Sequence, residues 1–152
     1  MIIVSYPEPD FRIKEEGGRK YIFDTIRKAW LLLTDEEWVR QNFVGYLIRR
    51  KQYPSAFLAL EKEIRLNDLK KRFDILVYDQ QHKPWMLVEC KAPEVPLSEQ
   101  VLQQVLRYNI SVPVAYIMIT NGPSTIGWRM ERGLLTEIEE MPEWGGKAKN
   151  IE

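Results

Sequence analysis

Two acidic residues and a lysine interrupt strongly apolar segments near the middle of the chain. Asp74 lies in the segment 73–78, and Glu89 and Lys91 lie in the segment 84–91. Read as two β-strands, in which side chains two residues apart point the same way, these segments carry all three charges on one face. If both faces are covered, Asp74 and Glu89 are partly removed from water, where two carboxylates repel each other and each favours a cation. The pattern therefore predicts that a divalent ion binds here.

The composition restricts which cation can bind and where the protein works. The single cysteine and single histidine of the 152-residue chain cannot form a structural zinc site, so oxygen atoms would hold a metal, which favours magnesium or manganese. Lysine and arginine total 22 against 22 aspartate and glutamate, so the net charge gives no general attraction to nucleic acid. No apolar run reaches about 20 residues and the N-terminus lacks a signal-peptide pattern, so we expect one cytoplasmic domain over residues 1–152, away from membranes.

Periodicity and turn signals predict the elements that position these residues. A hairpin is expected around the Gly-containing connection 15–18, followed by a short helix over residues 24–33. Thr34 and Glu37 form a capping-box pattern at the start of a helix that runs to about Lys51. Apolar patterning predicts a second helix from Ser98 to about Asn109, and strands over residues 57–66, 71–78, 84–91, 112–120 and 125–131, the last at a sheet edge.

The order of these elements predicts an α/β fold. Strands lie before and after a helix that would cross between them, so a mixed sheet with helices on its faces is the simplest arrangement. We expect the core over about residues 23–131, and a mobile tail from about residue 141, where Gly145 and Gly146 precede a charged end.

The spacing of the polar residues resembles that of a known nuclease superfamily. Fourteen residues separate Asp74 from Glu89-Cys90-Lys91, and the second predicted helix carries Gln104 and Tyr108, four residues apart. This set resembles the PD-(D/E)xK nucleases, and most closely the N-terminal nuclease domain of type I restriction enzyme R subunits, over about residues 23–129. The chain departs from the pattern at one position, because Phe73 stands where the superfamily's name has proline.

The resemblance implies a restriction-endonuclease-like fold with an αβββαβ core, and a metal-dependent nuclease that acts on DNA, either as a stand-alone domain or as a subunit of a restriction or repair system. Asp74, Glu89 and the backbone carbonyl of Cys90 would hold Mg²⁺ or Mn²⁺, and Lys91 would act on the attacking water. Gln104 would position substrate with Tyr108 packed behind it, and the acidic residue of the first helix would be Glu37, with Glu36 as the alternative register.

Two classes of function remain open. The first is the metal-dependent deoxyribonuclease, and the second is a catalytically silent module that keeps the fold but supplies nucleic-acid binding or assembly. The chain contains no Gly-x-x-x-x-Gly-Lys-[Ser/Thr] motif, so DNA translocation would require a motor partner, and a specificity subunit is a further expected partner. The basic cluster 70–72 precedes Asp74 and could contact phosphates. DNA or RNA as substrate, and endonuclease or exonuclease action, stay open at this point.

Overall fold

The computed structural model describes residues 1–66 and 68–146. The strands are β1 Ile13–Glu16, β2 Arg19–Asp24, β3 Ala29–Leu32, β4 Leu58–Leu66, β5 Leu69–Tyr78, β6 Pro84–Cys90, β7 Tyr116–Thr120, β8 Thr125–Glu131 and β9 Leu134–Ile138. They form a three-stranded sheet in the order β1-β2-β3 and a six-stranded sheet in the order β4-β5-β6-β7-β8-β9. Two α-helices, α1 Asp35–Gly45 and α2 Glu99–Asn109, accompany the larger sheet.

The N-terminal sheet confirms the predicted hairpin and corrects the segment that follows it. β1 and β2 pair antiparallel around the connection at Gly17. The helix predicted over residues 24–33 is wrong, because Asp24 uses its carboxylate to accept the backbone N–H groups of Ile26 (2.7 Å) and Arg27 (3.1 Å) and so turns the chain back. β3 then pairs with β2, which completes a three-stranded sheet.

The first helix begins as the capping pattern predicts. Thr34 Oγ1 accepts the backbone N–H of Glu37 at 3.0 Å, which satisfies one of the free donors at the helix start. The α-helical part ends at Gly45, and the chain continues as one π-helical segment over Tyr46–Arg50, so the predicted end near residue 51 is confirmed. A short 3₁₀ segment, Ser55–Phe57, leads into β4.

The larger sheet is mixed because one pair of strands is parallel. β6 and β7 run parallel, and α2, capped by the Ser98 hydroxyl, lies between them in sequence, whereas the other neighbours are antiparallel. One face of the sheet packs Ile75 and Val88 against Phe43 of α1, and the other face carries a second buried cluster that includes Phe73 and Leu76. This arrangement confirms the predicted α/β, restriction-endonuclease-like architecture.

The C-terminal part differs from the prediction in two respects. β8 is not an edge strand, because β9, which the sequence analysis missed, pairs along it. The tail expected to be mobile from residue 141 is packed as far as the structure describes it: Met141 is buried, Tyr53 Oη donates to the Pro142 carbonyl (2.6 Å), and Trp144 Nε1 donates to the Tyr78 carbonyl (3.0 Å). Residues 147–152 of that tail lie outside the described residues. Within the described residues, neither helix has the length and apolar character needed to span a membrane.

Candidate active site

The pairing of β5 with β6 brings the two acidic residues together. Ile75 is paired with Val88, so the next positions along this antiparallel ladder, Asp74 and Glu89, lie across from each other. Asp74 Oδ2 accepts the backbone N–H of Cys90 at 2.7 Å. Asp74 is therefore fixed directly against the Glu-Cys-Lys segment, as the sequence pattern predicts.

The strands reach this arrangement through a break in their alternation. Phe73 and Leu76 belong to the same buried cluster although they are three residues apart, and Ile75 packs on the opposite face. β4 is irregular at the same level, because Glu61, between the paired residues Leu60 and Lys62, has a φ of 54°. Such irregularities redirect side chains near functional sites. Strict alternation would have turned Asp74 away from α1, whereas the irregular ladder turns its carboxylate toward α1.

Arg40 of α1 forms a hydrogen-bonded ion pair with the Asp74 carboxylate. Its Nη2 lies 2.8 Å from Asp74 Oδ1 and 3.3 Å from Glu61 Oε1, and its Nη1 donates to Glu37 Oε1. Burial alone lowers the pKa of an arginine, but the hydrogen bond to Asp74 and the charge of Glu37 raise the pKa of Arg40 above its ordinary value. Arg40 is therefore a permanent cation between α1 and the paired carboxylates.

The Glu37 carboxylate is bound by the charged residues around Arg40 and does not face Glu89. Its carboxylate accepts from Arg27 Nη2 at 2.6 Å and from Gln41 Nε2 at 2.9 Å, in addition to Arg40. Arg27 in turn pairs with the fully buried Asp24 of β2. A continuous chain of charges therefore connects the N-terminal sheet, through Arg27, Glu37 and Arg40, to Asp74.

Glu36, rather than Glu37, faces the paired carboxylates. Its side chain is 49% exposed and lies 3.9 Å from Arg40 Nη2. Burial and the nearby charge of Asp74 raise the pKa of Glu36, whereas Arg40 and Lys91 lower it. The alternative register considered for the first helix is thus the one that the fold brings beside Asp74 and Lys91.

Glu89 has a strongly raised pKa. Burial and the charge of Asp74 raise the pKa of Glu89 to about 8, although Lys91 lowers it, and Glu36 adds to the rise. Lys91 leaves the end of β6, where its backbone N–H donates to the Thr120 carbonyl at 2.8 Å. The charges of Asp74, Lys91 and Glu36 are therefore close enough to Glu89 to shift its pKa.

The other predicted site residues differ in their position relative to the carboxylate pair. Cys90 is buried and its side chain packs in the core, but its N–H points to Asp74, and its carbonyl points to the same side because both groups of a strand residue face one neighbour. Gln104 is exposed on α2, and within the described part of the chain its side chain makes no hydrogen bond. Tyr108 is 51% exposed and contacts Lys71, whose Nζ lies 4.4 Å from the ring centre, so it does not pack behind Gln104.

The donors at this site are hard oxygen atoms. Among residues 1–66 and 68–146, no three Asp, Glu, His or Cys side chains are grouped so that they could hold a metal by themselves. The candidate metal ligands are therefore the carboxylates of Asp74 and Glu89 together with the Cys90 carbonyl. Each carboxylate oxygen has two acceptor sites, so the bonds that Asp74 makes to Arg40 and Cys90 do not exhaust its capacity.

Three charged residues of the site were missed from the sequence. Arg40 follows Glu36 and Glu37 at the four- and three-residue spacings that bring helical side chains together, so this pairing could have been found. Asp24 and Arg27 are three residues apart in the turn after β2, so their contact is local as well. Glu61 carries no comparable local signal, because its contact to Arg40 depends on how β4 packs against α1.

Comparisons with known proteins point to one family. The family model described as the type I restriction enzyme R protein N terminus (HSDR_N) matches residues 35–142, which run from the first residue of α1 to just beyond β9. A search of curated proteins found no match.

Proposed function

Because the chain belongs to the family of type I restriction enzyme R protein N termini, whose domains are nuclease-related, we propose that it is a metal-dependent nuclease that hydrolyses phosphodiester bonds of DNA. The observation that carries the proposal is the convergence of Asp74, Glu89 and Lys91 at the end of β6. Two partly buried carboxylates beside a lysine are costly for a fold to maintain, and metal-assisted hydrolysis can use this combination.

The residues fit a magnesium or manganese ion. Burial and Asp74 raise the pKa of Glu89 to about 8, so the pair lacks positive charge although Arg40 and Lys91 are near. Mg²⁺ is typically bound through one or two carboxylates while water and substrate phosphate complete its shell, so Asp74, Glu89 and the Cys90 carbonyl would suffice. When bound, the ion would supply charge stabilisation to the phosphate oxygens.

The chain's own groups have distinct roles in this proposal. Lys91 would orient the attacking water and neutralise charge that develops on the phosphate. Arg40 holds Asp74 Oδ1 and so positions that carboxylate without touching substrate. Glu36, half-exposed beside the pair, takes the role that the sequence pattern assigned to Glu37. Gln104, exposed on α2, would reach substrate only where DNA extends over that helix.

A silent module is the second candidate, and the placement of Gln104 and Tyr108 favours it. Neither side chain approaches the carboxylate pair as the nuclease pattern predicts, since both are exposed on α2. In that case the domain would bind DNA or another subunit of a restriction system, and a motor or specificity subunit is the expected partner in either case.

Cleavage of single-stranded, duplex and branched DNA with Mg²⁺ or Mn²⁺ tests the proposal. Glu89→Gln keeps the side-chain shape and removes one ligand charge, so we expect it to abolish metal-dependent cleavage. Lys91→Ala should keep metal binding and lower the cleavage rate by about a hundredfold or more. Glu15→Gln, which changes an exposed strand glutamate of the N-terminal sheet, serves as the matched control and should cut like the wild type.

The result that decides between the candidates combines cleavage with binding. DNA binding is measured in Ca²⁺, so that the DNA is not cleaved during the measurement for any variant. If the wild type binds DNA but cuts none of the substrates with either metal, even with its partner subunits present, and if Glu89→Gln and Lys91→Ala bind equally well, the nuclease proposal is refuted and the silent module is supported.

A further inference from the structure

The hairpin formed by β4 and β5 projects past the end of β6. β5 is paired with β4 from Leu69 to Val77, whereas its pairing with β6 begins at Ile75. The projecting part leads directly from Asp74, so it extends the surface next to the candidate active site. Its ladder is regular, with Lys62 opposite Phe73 and Arg65 opposite Lys70.

One side of this hairpin is packed against the part of the fold that contains α2. Phe73 belongs to the buried cluster on that side, Ile64 packs against this cluster, and Lys71 Nζ donates to the Tyr108 carbonyl at the end of α2. Because side chains alternate along each strand, Lys62 lies on this same side.

The other side is exposed and predominantly basic. It carries Glu63 and Arg65 on β4, and Lys70 and Arg72 on β5, all of them exposed. Lys70 Nζ lies 3.8 Å from Glu63 Oε2, which independently places these two residues on one side. Three cations against one carboxylate leave a local excess of positive charge, although the whole chain has a net charge of zero.

The basic side continues onto the candidate active site. Arg72 and Lys70 stand two and four residues before Asp74, and Asp74 and Glu61 both turn toward Arg40 on that same side. Strand residues rise about 3.4 Å each, so the cations lie about 7 and 14 Å from Asp74 along the strand. A DNA strand advances about 3.4 Å per phosphate along the helix axis, so the row spans about four nucleotides.

We propose that this basic side, formed by Arg65, Lys70 and Arg72, binds the backbone phosphates of DNA next to the phosphate that is cleaved. The inference rests on the proposed function for the position of the cleaved phosphate, but phosphate binding itself can be measured without cleavage. The contacts are to backbone charge and therefore independent of base sequence.

The salt dependence of DNA binding tests this surface. A labelled duplex of arbitrary sequence is titrated with the full chain in chelator, where no metal-dependent cleavage occurs, at several salt concentrations. Each phosphate contact adds about 0.9 to the slope of log K against log salt, so Arg65→Gln, Lys70→Gln and Arg72→Gln together should lower the slope by about two to three. At about 0.1 M salt we expect binding to weaken by about ten- to a hundredfold.

Two single variants separate a specific surface from a general loss of charge. Lys62→Gln removes one cation from the opposite side of the same hairpin and should change the slope less than Arg72→Gln. Glu63→Gln removes the carboxylate beside Lys70 and should strengthen binding by about twofold or more. Thermal unfolding of each variant tests whether the exposed substitutions leave the fold intact.

The outcomes for this surface and for the proposed nuclease are distinct. A steep salt dependence that becomes shallow in the triple variant supports the surface, whether or not the wild type cuts DNA. A folded triple variant that binds with the wild-type slope, or a Lys62→Gln variant that loses as much as Arg72→Gln, overturns it. If the wild type cuts DNA in that case, the proposed function still stands.

Discussion

Replacing Glu89 by glutamine should stabilise the metal-free protein, and the gain should grow with pH. Burial and the charge of Asp74 raise the pKa of Glu89 from 4.5 to about 8. Between these two values the folded protein binds a proton that the unfolded chain releases, so Glu89 lowers stability progressively as the pH rises from about 4.5 to 8. Glutamine does not titrate, so Glu89→Gln removes this pH-dependent penalty.

The size of the penalty follows from the shift. Each pKa unit corresponds to about 1.4 kcal/mol, so the full change from 4.5 to about 8 sets an upper bound of about 5 kcal/mol. Part of it is already present at pH 5, and the side chain is not completely buried, so we expect the advantage of Glu89→Gln to increase by about 2–4 kcal/mol between pH 5 and pH 9.

Urea unfolding of both proteins in chelator at pH 5, 7 and 9 measures this difference. Glu15→Gln provides the reference for a glutamate exposed on a strand. If the Glu89→Gln advantage is the same at pH 5 and pH 9, Glu89 does not occupy a desolvated position beside Asp74, and the basis for a cation site is lost.

Three further predictions concern the cation, its neighbours and the first helix. Mg²⁺ or Mn²⁺ at one hundred times its dissociation constant should stabilise the wild type by about 2.7 kcal/mol in thermal or urea unfolding, and Glu89→Gln should abolish the effect. Arg40→Met should destabilise the fold by about 3–5 kcal/mol, because it leaves buried Glu37 and Asp74 without their shared cation, and urea unfolding at pH 7 would reveal it. Glu37→Gln should lower the free energy of unfolding by about 3 kcal/mol in the same assay, because Glu37 is paired with Arg40. Glu36→Gln should change the free energy of unfolding by less than about 0.5 kcal/mol but lower the cleavage rate. The reverse pattern would assign the site role to Glu37.

Local signals were sufficient for most of the fold. The Thr34 hydroxyl and the Glu37 N–H form the cap that begins α1, and the Ser98 hydroxyl does the same for α2, because capping depends on residues only three apart. Residues 24–33 were predicted wrongly because the Asp24 carboxylate binds its own backbone, and this turn chemistry outweighs a helical-looking composition. β9 was missed because its pairing with β8 stabilises a segment whose own pattern is weak.

The candidate site was predictable in its residue types but not in its geometry. The spacing of Asp74, Glu89 and Lys91 reflects the pairing of β5 with β6, and the apolar patterning of these two strands indicates that pairing. The orientation of the Asp74 side chain toward α1 depends instead on the irregular ladder at Glu61, which no residue pattern indicates. The choice between Glu36 and Glu37 likewise depends on Arg27, which reaches Glu37 from the N-terminal sheet.

Arg40 compensates the charge of one carboxylate of the pair. Its guanidinium binds Asp74 directly, and the Cys90 N–H binds the second Asp74 oxygen, so the charge of Asp74 is compensated on two sides. Burial and Asp74 itself raise the pKa of Glu89 to about 8, so in the proposed metal site a proton and a metal ion would compete for Glu89. A cation that binds the pair must therefore displace this proton below about pH 8, and its affinity should increase by up to about tenfold per pH unit as that proton is lost. In the proposed nuclease, permanent compensation at Asp74 and exchangeable compensation at Glu89 would together give a site that α1 preforms and the ion completes.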